Sequence, residues 1–240
     1  MPLPAPLSRA ATLLGQALAI DAGEEGLAGL ALSPEGTNRF ARRCGELLAS
    51  IEAPTMRRRR SSRTSRRAAL RGLSHLVGLG IGLTPSGDDF LAGALLGERI
   101  ALLAGSGTPT LLIDRKEIAG ALAGTSAAGA ALLRLALHDS FPAYLLDLAR
   151  AVVAAGELPA VLAAVRHAAS HGETSGSDAC TGLWWYLRLL SSGAPSASRA
   201  DRKARDRRLR SGEYKHEGDD DHYHMEQCQD APDRIQRSPR

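Results

Sequence analysis

Apolar residues recur every three or four positions through most of the first 190 residues, the period of helices with one buried face. The spacing predicts helices in "LSRAATLLGQALAI" (7–20) and in "TNRFARRCGELLASI" (37–51), the latter capped by Thr37 or Asn38. A third is predicted in "RTSRRAALRGLSHLVG" (63–78), where Ala69, Leu70, Leu73, Leu76 and Val77 share a face. Further helices follow at 88–105, 114–124, 125–139, 140–156, 158–172 and 175–190. Between the first two, "DAGEEGLAGLALSPEG" is glycine-rich and holds one candidate strand at Leu27–Leu32; "EAPTMRRRRSS" (52–62) reads as an exposed linker. After Ser191 the apolar period stops. The charged, Ser- and Pro-bearing remainder buries too little apolar surface to fold alone and is expected to be a disordered tail.

Composition sharpens the helical reading. The 240 residues are 44% hydrophobic but only 4% aromatic, so the core must be built from Ala, Leu, Val and Ile. The fold expected is mainly α. A compact helical domain (61–190) follows a small N-terminal region with short strands and an Arg-rich linker (1–60), and the tail (191–240) follows the domain. The net charge of +4 is concentrated in "RRRRSSRTSRR" and in the tail. With no interleaved aromatics or reader motif, such runs are solvated faces, and no specific nucleic-acid partner is expected. No stretch reaches the roughly 20 apolar residues of a membrane span. Three scattered cysteines, Cys44, Cys180 and Cys228, form no disulfide framework or metal spacing, which points to a cytoplasmic protein.

The chemistry concentrates in "GLGIGLTPSGDDFLAG" (78–93). Its "SGDDFLAG" reappears as "SGSDACTG" at 175–182, sharing Ser-Gly-x-Asp-x-x-x-Gly. Each copy follows a threonine, Thr84 or Thr174, and each opens an apolar helix. One reading is a pair of capping boxes, in which Ser86 and Ser175 accept from the amide three residues on and Asp89 and Asp178 reach back. A sharper reading adds what a cap does not need. Gly78, Gly80 and Gly82 expose backbone amides suited to an anion, the loop feeds a helix N-terminus, and Asp88 is surplus to the cap. That carboxylate would hold Mg²⁺ or orient an amide or ammonium group. If the two starts face each other, they enclose one polar pocket. Rossmann and Walker loops are excluded by spacing and by the missing lysine.

These two motifs, with "TSAAGAALLRLALHDSFPAYLLDL" between them, resemble the DUF2877 family over roughly residues 66–190. That family includes the AllH-type subunit of oxamate carbamoyltransferase, from allantoin breakdown. The region before Arg66 reads short and strand-poor beside longer members, so the likeness is to an N-terminally shortened one. The resemblance implies a transferase subunit, working with other carbamoyltransferase subunits on carbamoyl phosphate and an oxamate-like amide. The site residues expected are Asp88 and Asp89 as the catalytic carboxylates. Gly80, Gly82, Thr84, Ser86, Gly87, Thr174, Ser175, Gly176 and Asp178 are expected to bind substrate. No metal ligands are assigned and no cofactor is firmly implied, Mg²⁺ being the one candidate. The alternative is a non-catalytic helical assembly module whose two motifs only cap helices.

Other constellations carry less. His167 and His171 stand four apart near Glu173, a metal-ligand spacing without an evident third ligand. His75 precedes the glycine loop and either flanks the site or packs. "SSRTSRR" (61–67) looks like a phosphate loop but sits in an Arg-Ser run with no strand before it. "HEGDDDHYH" in the tail has a metal-tract composition only. Trp184, Trp185 and Tyr186 are expected in the core or at an interface.

Overall fold

A computed structural model describes residues 5–21, 25–33, 36–61, 67–104, 110–154 and 156–192. Among them the chain is mainly helical: α1 (Ala5–Asp21), α2 (Arg39–Ser61), α3 (Ser86–Leu103), α4 (Arg115–Ala121), α5 (Ala127–Leu137), α6 (Ala143–Val153), α7 (Leu158–Ala169) and α8 (Ser175–Ser192). Single 3-10 turns lie at Ala28–Ala31, Leu73–Leu76 and Leu122–Gly124. Two short strands, β1 (Arg67–Leu70) and β2 (Thr110–Ile113), pair in parallel with Arg67 opposite Thr110 and Leu70 opposite Ile113.

The helical expectation holds because Ala and Leu are strong helix formers and their spacing gives each helix a buried stripe. One hydrophobic cluster runs from Leu7 on α1 through Cys44 on α2 and Leu95 on α3 to Leu190 on α8. The central member is α3, buried along nearly its whole length. It lies against α8 at backbone distance. A Cβ on Gly93 would stand 1.8 Å from Ala179 O, and one on Gly182 would stand 1.9 Å from Phe90 O. Higher up, Gly97 faces Tyr186. Contacts thus climb both helices together, so α3 and α8 run parallel with their N-termini at the same end.

Three segments depart from the pattern. The candidate strand at Leu27–Leu32 is a 3-10 turn, because it has no strand to pair with and the Leu27 N–H donates to Asp178 Oδ1 at 2.5 Å. The linker expected at 52–62 is helical to Ser61. Pro54 lies inside α2, yet the helix continues through good helix formers, with Thr55 buried and its hydroxyl donating to Ile51 O at 2.8 Å. The helix expected at 63–78 is β1 followed by a 3-10 turn. Gly72 adopts φ +89°, which ends any helix there, and β1 finds a partner 40 residues on in β2. β2 itself carried no helical period and was not anticipated.

A buried carboxylate anchors that partner strand. Glu98, 2% exposed on α3, accepts from Ile113 N at 2.6 Å and from Arg115 Nη2 at 2.7 Å. Arg115 also donates to Leu137 O and Asp139 Oδ1, tying β2 to the end of α5. α2 begins as expected from its cap: Asn38 Oδ1 accepts from Phe40 N and Ala41 N, both at 2.9 Å.

Candidate functional site

The two Ser-Gly-x-Asp segments meet. Each is a tight turn feeding a helix, and their local bonding repeats. Leu79 N–H donates to Leu76 O and Gly87 N–H to Leu79 O; in the second copy His171 N–H donates to Ala168 O and Gly176 N–H to His171 O. Gly80 and Gly172 adopt φ of +118° and +71°, turning the chain towards Ser86 and Ser175 respectively. The related residues therefore stand in a two-fold-like arrangement about the line between α3 and α8.

That arrangement crosses the motifs over. The hydroxyls facing Asp89 are those of Ser175 and Thr84, and the hydroxyls facing Asp178 are those of Ser86 and Thr174. Each serine thus serves the other motif's aspartate. Thr84 Oγ1 and Ser175 Oγ are themselves 2.8 Å apart. The capping-box geometry is not adopted at α3. Its N-cap is Pro85, without a side-chain cap, and Asp89 N–H donates to the Pro85 carbonyl. Ser86 comes one residue too late to cap and is turned instead to the neighbouring helix.

The carboxyls are deeply buried, Asp178 at 0% and Asp89 at 2% exposure. Burial dominates their titration. It pushes Asp89 up to about 7, with Ser175 and Thr84 opposing and Asp178 and Asp88 adding to the rise. It pushes Asp178 up to about 6 against the Leu27 amide and the Ser86 and Thr174 hydroxyls. The hydroxyls stand near enough to lower both carboxyls, yet Oδ2 of each makes no hydrogen bond of ordinary geometry. Buried polar atoms without partners are uncommon in folded proteins. Here two occur side by side.

Asp88 has a different task from the one its sequence position suggested. It is surplus to a cap but not free. Its Oδ1 accepts from Gly78 N at 2.8 Å and its Oδ2 from the Thr125 hydroxyl, and it is fully buried. Burial raises its pKa, while Thr125 and Gly78 oppose the rise. The carboxylate pins the base of the glycine loop to the segment entering α5. Ser126 adds a second brace, donating to Leu83 O. Between those braces Gly80 is half-buried, Gly82 is exposed, and Ile81 and Leu83 are 74% and 79% exposed. Gly87 and Gly176 lie buried in the first turns of their helices.

Tyr144 had no motif to announce it. Tyr144 on α6 is half-buried, and its hydroxyl is pushed up to about 12 by burial and by the charges of Asp89 and Cys180. It stacks on His171 at 4.4 Å, and His167 meets His171 edge-on at 5.1 Å. The histidine pair is thus engaged in ring contacts. Among the described residues no cluster of three or more His, Cys, Asp or Glu side chains is placed to hold a metal. His75 is exposed on its 3-10 turn. Trp185 and Tyr186 are core residues, with Tyr186 Oη donating to Leu111 O at 2.6 Å. Residues 62–66 and the "HEGDDDHYH" tract lie outside the described residues, and no helix among those described is long and apolar enough to cross a membrane.

Comparison with known proteins gives a family match. A family described as oxamate carbamoyltransferase subunit AllH matches residues 76–187, from the carbonyl that meets Gly87 to the last turns of α8. Both motifs, Tyr144 and His171 fall within it. No curated protein and no solved structure matches the chain.

Proposed function

We propose, from the match of residues 76–187 to the AllH family, that this chain works as a subunit or relative of an oxamate carbamoyltransferase. Its own binding site would be the meeting point of the two Ser-Gly-x-Asp helix starts. The observation that carries this reading is the crossed pairing, Ser175 and Thr84 on Asp89 and Ser86 and Thr174 on Asp178, with one orphan oxygen on each carboxyl. A pair of caps needs none of this. The substrates would be a small amide of oxamate type and carbamoyl phosphate. Transfer between them joins the amide nitrogen to the carbamoyl carbon and releases phosphate. It requires no protein nucleophile, because holding two reactants in register supplies much of the rate.

In this reading Asp89 and Asp178 orient the amide, the hydroxyls of Thr84, Ser86, Thr174 and Ser175 complete its hydrogen bonds, and Asp88 fixes the loop beside it. Gly80 and Gly82 shape that loop, and Gly87 and Gly176 bring the helix starts into place. Mg²⁺ fits this set poorly. Among the described residues no three His, Cys, Asp or Glu side chains converge to hold it, and the ion prefers a near-octahedral shell of oxygens. Other carbamoyltransferase subunits would be the partners, and a cytoplasmic setting suits the substrates.

The test is ligand-linked stability of the full chain. At a hundredfold excess over Kd, bound ligand adds about 2.7 kcal/mol, roughly 5–10 °C in Tm for a domain of this size. Oxamate or carbamoyl phosphate should produce such a shift, and Ser175→Ala should reduce it. If neither compound moves Tm, alone or with partner subunits present, the two motifs are helix packing devices and the assembly-module reading stands.

A further inference from the structure

We infer that the Asp89–Asp178 pair recognises an uncharged N–H-donating group, a primary amide or carbamoyl group, and not an anion. The inference rests on the site proposed above and specifies what that site takes. It assigns the amide-bearing substrate to this chain and leaves phosphate recognition to another surface of the assembled enzyme.

A helix start usually favours anions through its free amides. Here many of those amides are spent. Gly78 N–H donates to Asp88, Gly87 N–H to Leu79 O, and Asp88 and Asp89 N–H both to Pro85 O. At α8, Gly176 N–H donates to His171 O and Asp178 N–H to Thr174 O. Charge argues the same way. The charges that raise Asp89 are those of Asp178 and Asp88, both negative. A phosphate dianion would be repelled by these carboxylates.

What the site does offer is acceptors. Asp89 Oδ2 and Asp178 Oδ2 are buried and unpartnered, one contributed by each helix. Above them the Thr84, Thr174 and Ser175 side chains are half-exposed, giving a rim of hydroxyls that can donate or accept. A primary amide brings two N–H donors and one carbonyl acceptor. The two orphan oxygens answer the donors, and the hydroxyl rim answers the carbonyl. Burying the pair without such a guest leaves two acceptors unsatisfied, which is costly.

Three probes separate the possibilities: oxamate, its near-isostere oxalate, and inorganic phosphate, each titrated into the full chain at constant ionic strength and followed by Tm. Oxalate matches oxamate except that a second carboxylate replaces the amide. The expected result is a shift of several degrees with oxamate and none with oxalate or phosphate. Asp89→Asn and Asp178→Asn, each placing a donor where an acceptor stood, should weaken oxamate binding at least tenfold. Should either variant fail to fold, Ser175→Ala on the rim should still reduce oxamate affinity severalfold while leaving the fold intact. A shift with oxalate or phosphate as large as with oxamate overturns this inference but keeps the site. No shift with any of the three overturns both.

Discussion

The two helix starts that meet at the candidate site are built on one plan, and they differ at two points. From Gly80 to Ser86 the first copy has five intervening residues; from Gly172 to Ser175 the second has two. The extra length accommodates Ile81 and Leu83, both pointing largely to solvent. The second difference is the residue before the shared aspartate. In the first copy it is Asp88, buried and clamping the loop; in the second it is Ser177, whose hydroxyl only returns to Thr174 O at 2.8 Å. The longer loop has to be tied down, and Asp88 ties it. The shorter turn needs no such tie. The shared glycines Gly93 and Gly182 serve the contact between α3 and α8, the shared serines and aspartates meet at its start, and Asp88 serves the loop.

The strongest way to break this comparison is at the shared glycines. Gly93→Ala and Gly182→Ala each place a Cβ within 2 Å of the other helix's carbonyl, at 1.8 and 1.9 Å. The helices must part. Each variant should lose about 3–5 kcal/mol, and the two losses should agree within about 1 kcal/mol by urea denaturation. A large inequality would mean that the two-fold likeness is superficial.

The clamp comes next. Asp88→Ala leaves the Gly78 amide and the Thr125 hydroxyl without their acceptor and should cost about 1–3 kcal/mol, whereas Ser177→Ala at the matching position should cost about 0.5 kcal/mol or less. Equal costs would remove the distinction between tied and untied turns.

A smaller effect is expected from pH. Asp89 and Asp178 have folded pKa values of about 7 and about 6, above the ordinary value of 3.8. The folded state therefore binds more protons than the unfolded chain between about pH 4 and pH 7, and the pair's contribution falls as pH rises through that window. The slope is at most about 1.4 kcal/mol per pH unit for each carboxyl. Stability of Asp89→Asn measured against the unaltered chain should improve steadily from pH 4 to pH 7 and level off above. A flat difference would mean that Asp89 titrates normally.

The smallest effect should come from the loop tip. Ile81→Ser with Leu83→Ser changes two side chains that make little contact within the chain, and folding stability should stay within about 0.5 kcal/mol. A larger loss in thermal unfolding would show that the tip packs after all.

Much of the fold could be read from the chain because it follows from local chemistry. Helical period marked α1 and α3 to α8, and Asn38 marked the start of α2, since a cap and an apolar stripe are decided within a few residues. The repeated Ser-Gly-x-Asp was also visible, as was the suggestion that its two copies face each other. What the sequence could not fix depended on distant partners. Arg67–Leu70 carries a helical spacing and becomes a strand only because Thr110–Ile113 is there to pair with it. Ser86 and Asp89 have the spacing of a capping box, yet each turns to α8, since burying two parallel helices at glycine contact brings the second motif closer than the first motif's own backbone. Asp88 reads as a spare carboxylate and is held by a threonine 37 residues away. Local bonding sets where helices begin; only the packing of α3 on α8 decides which serine meets which aspartate.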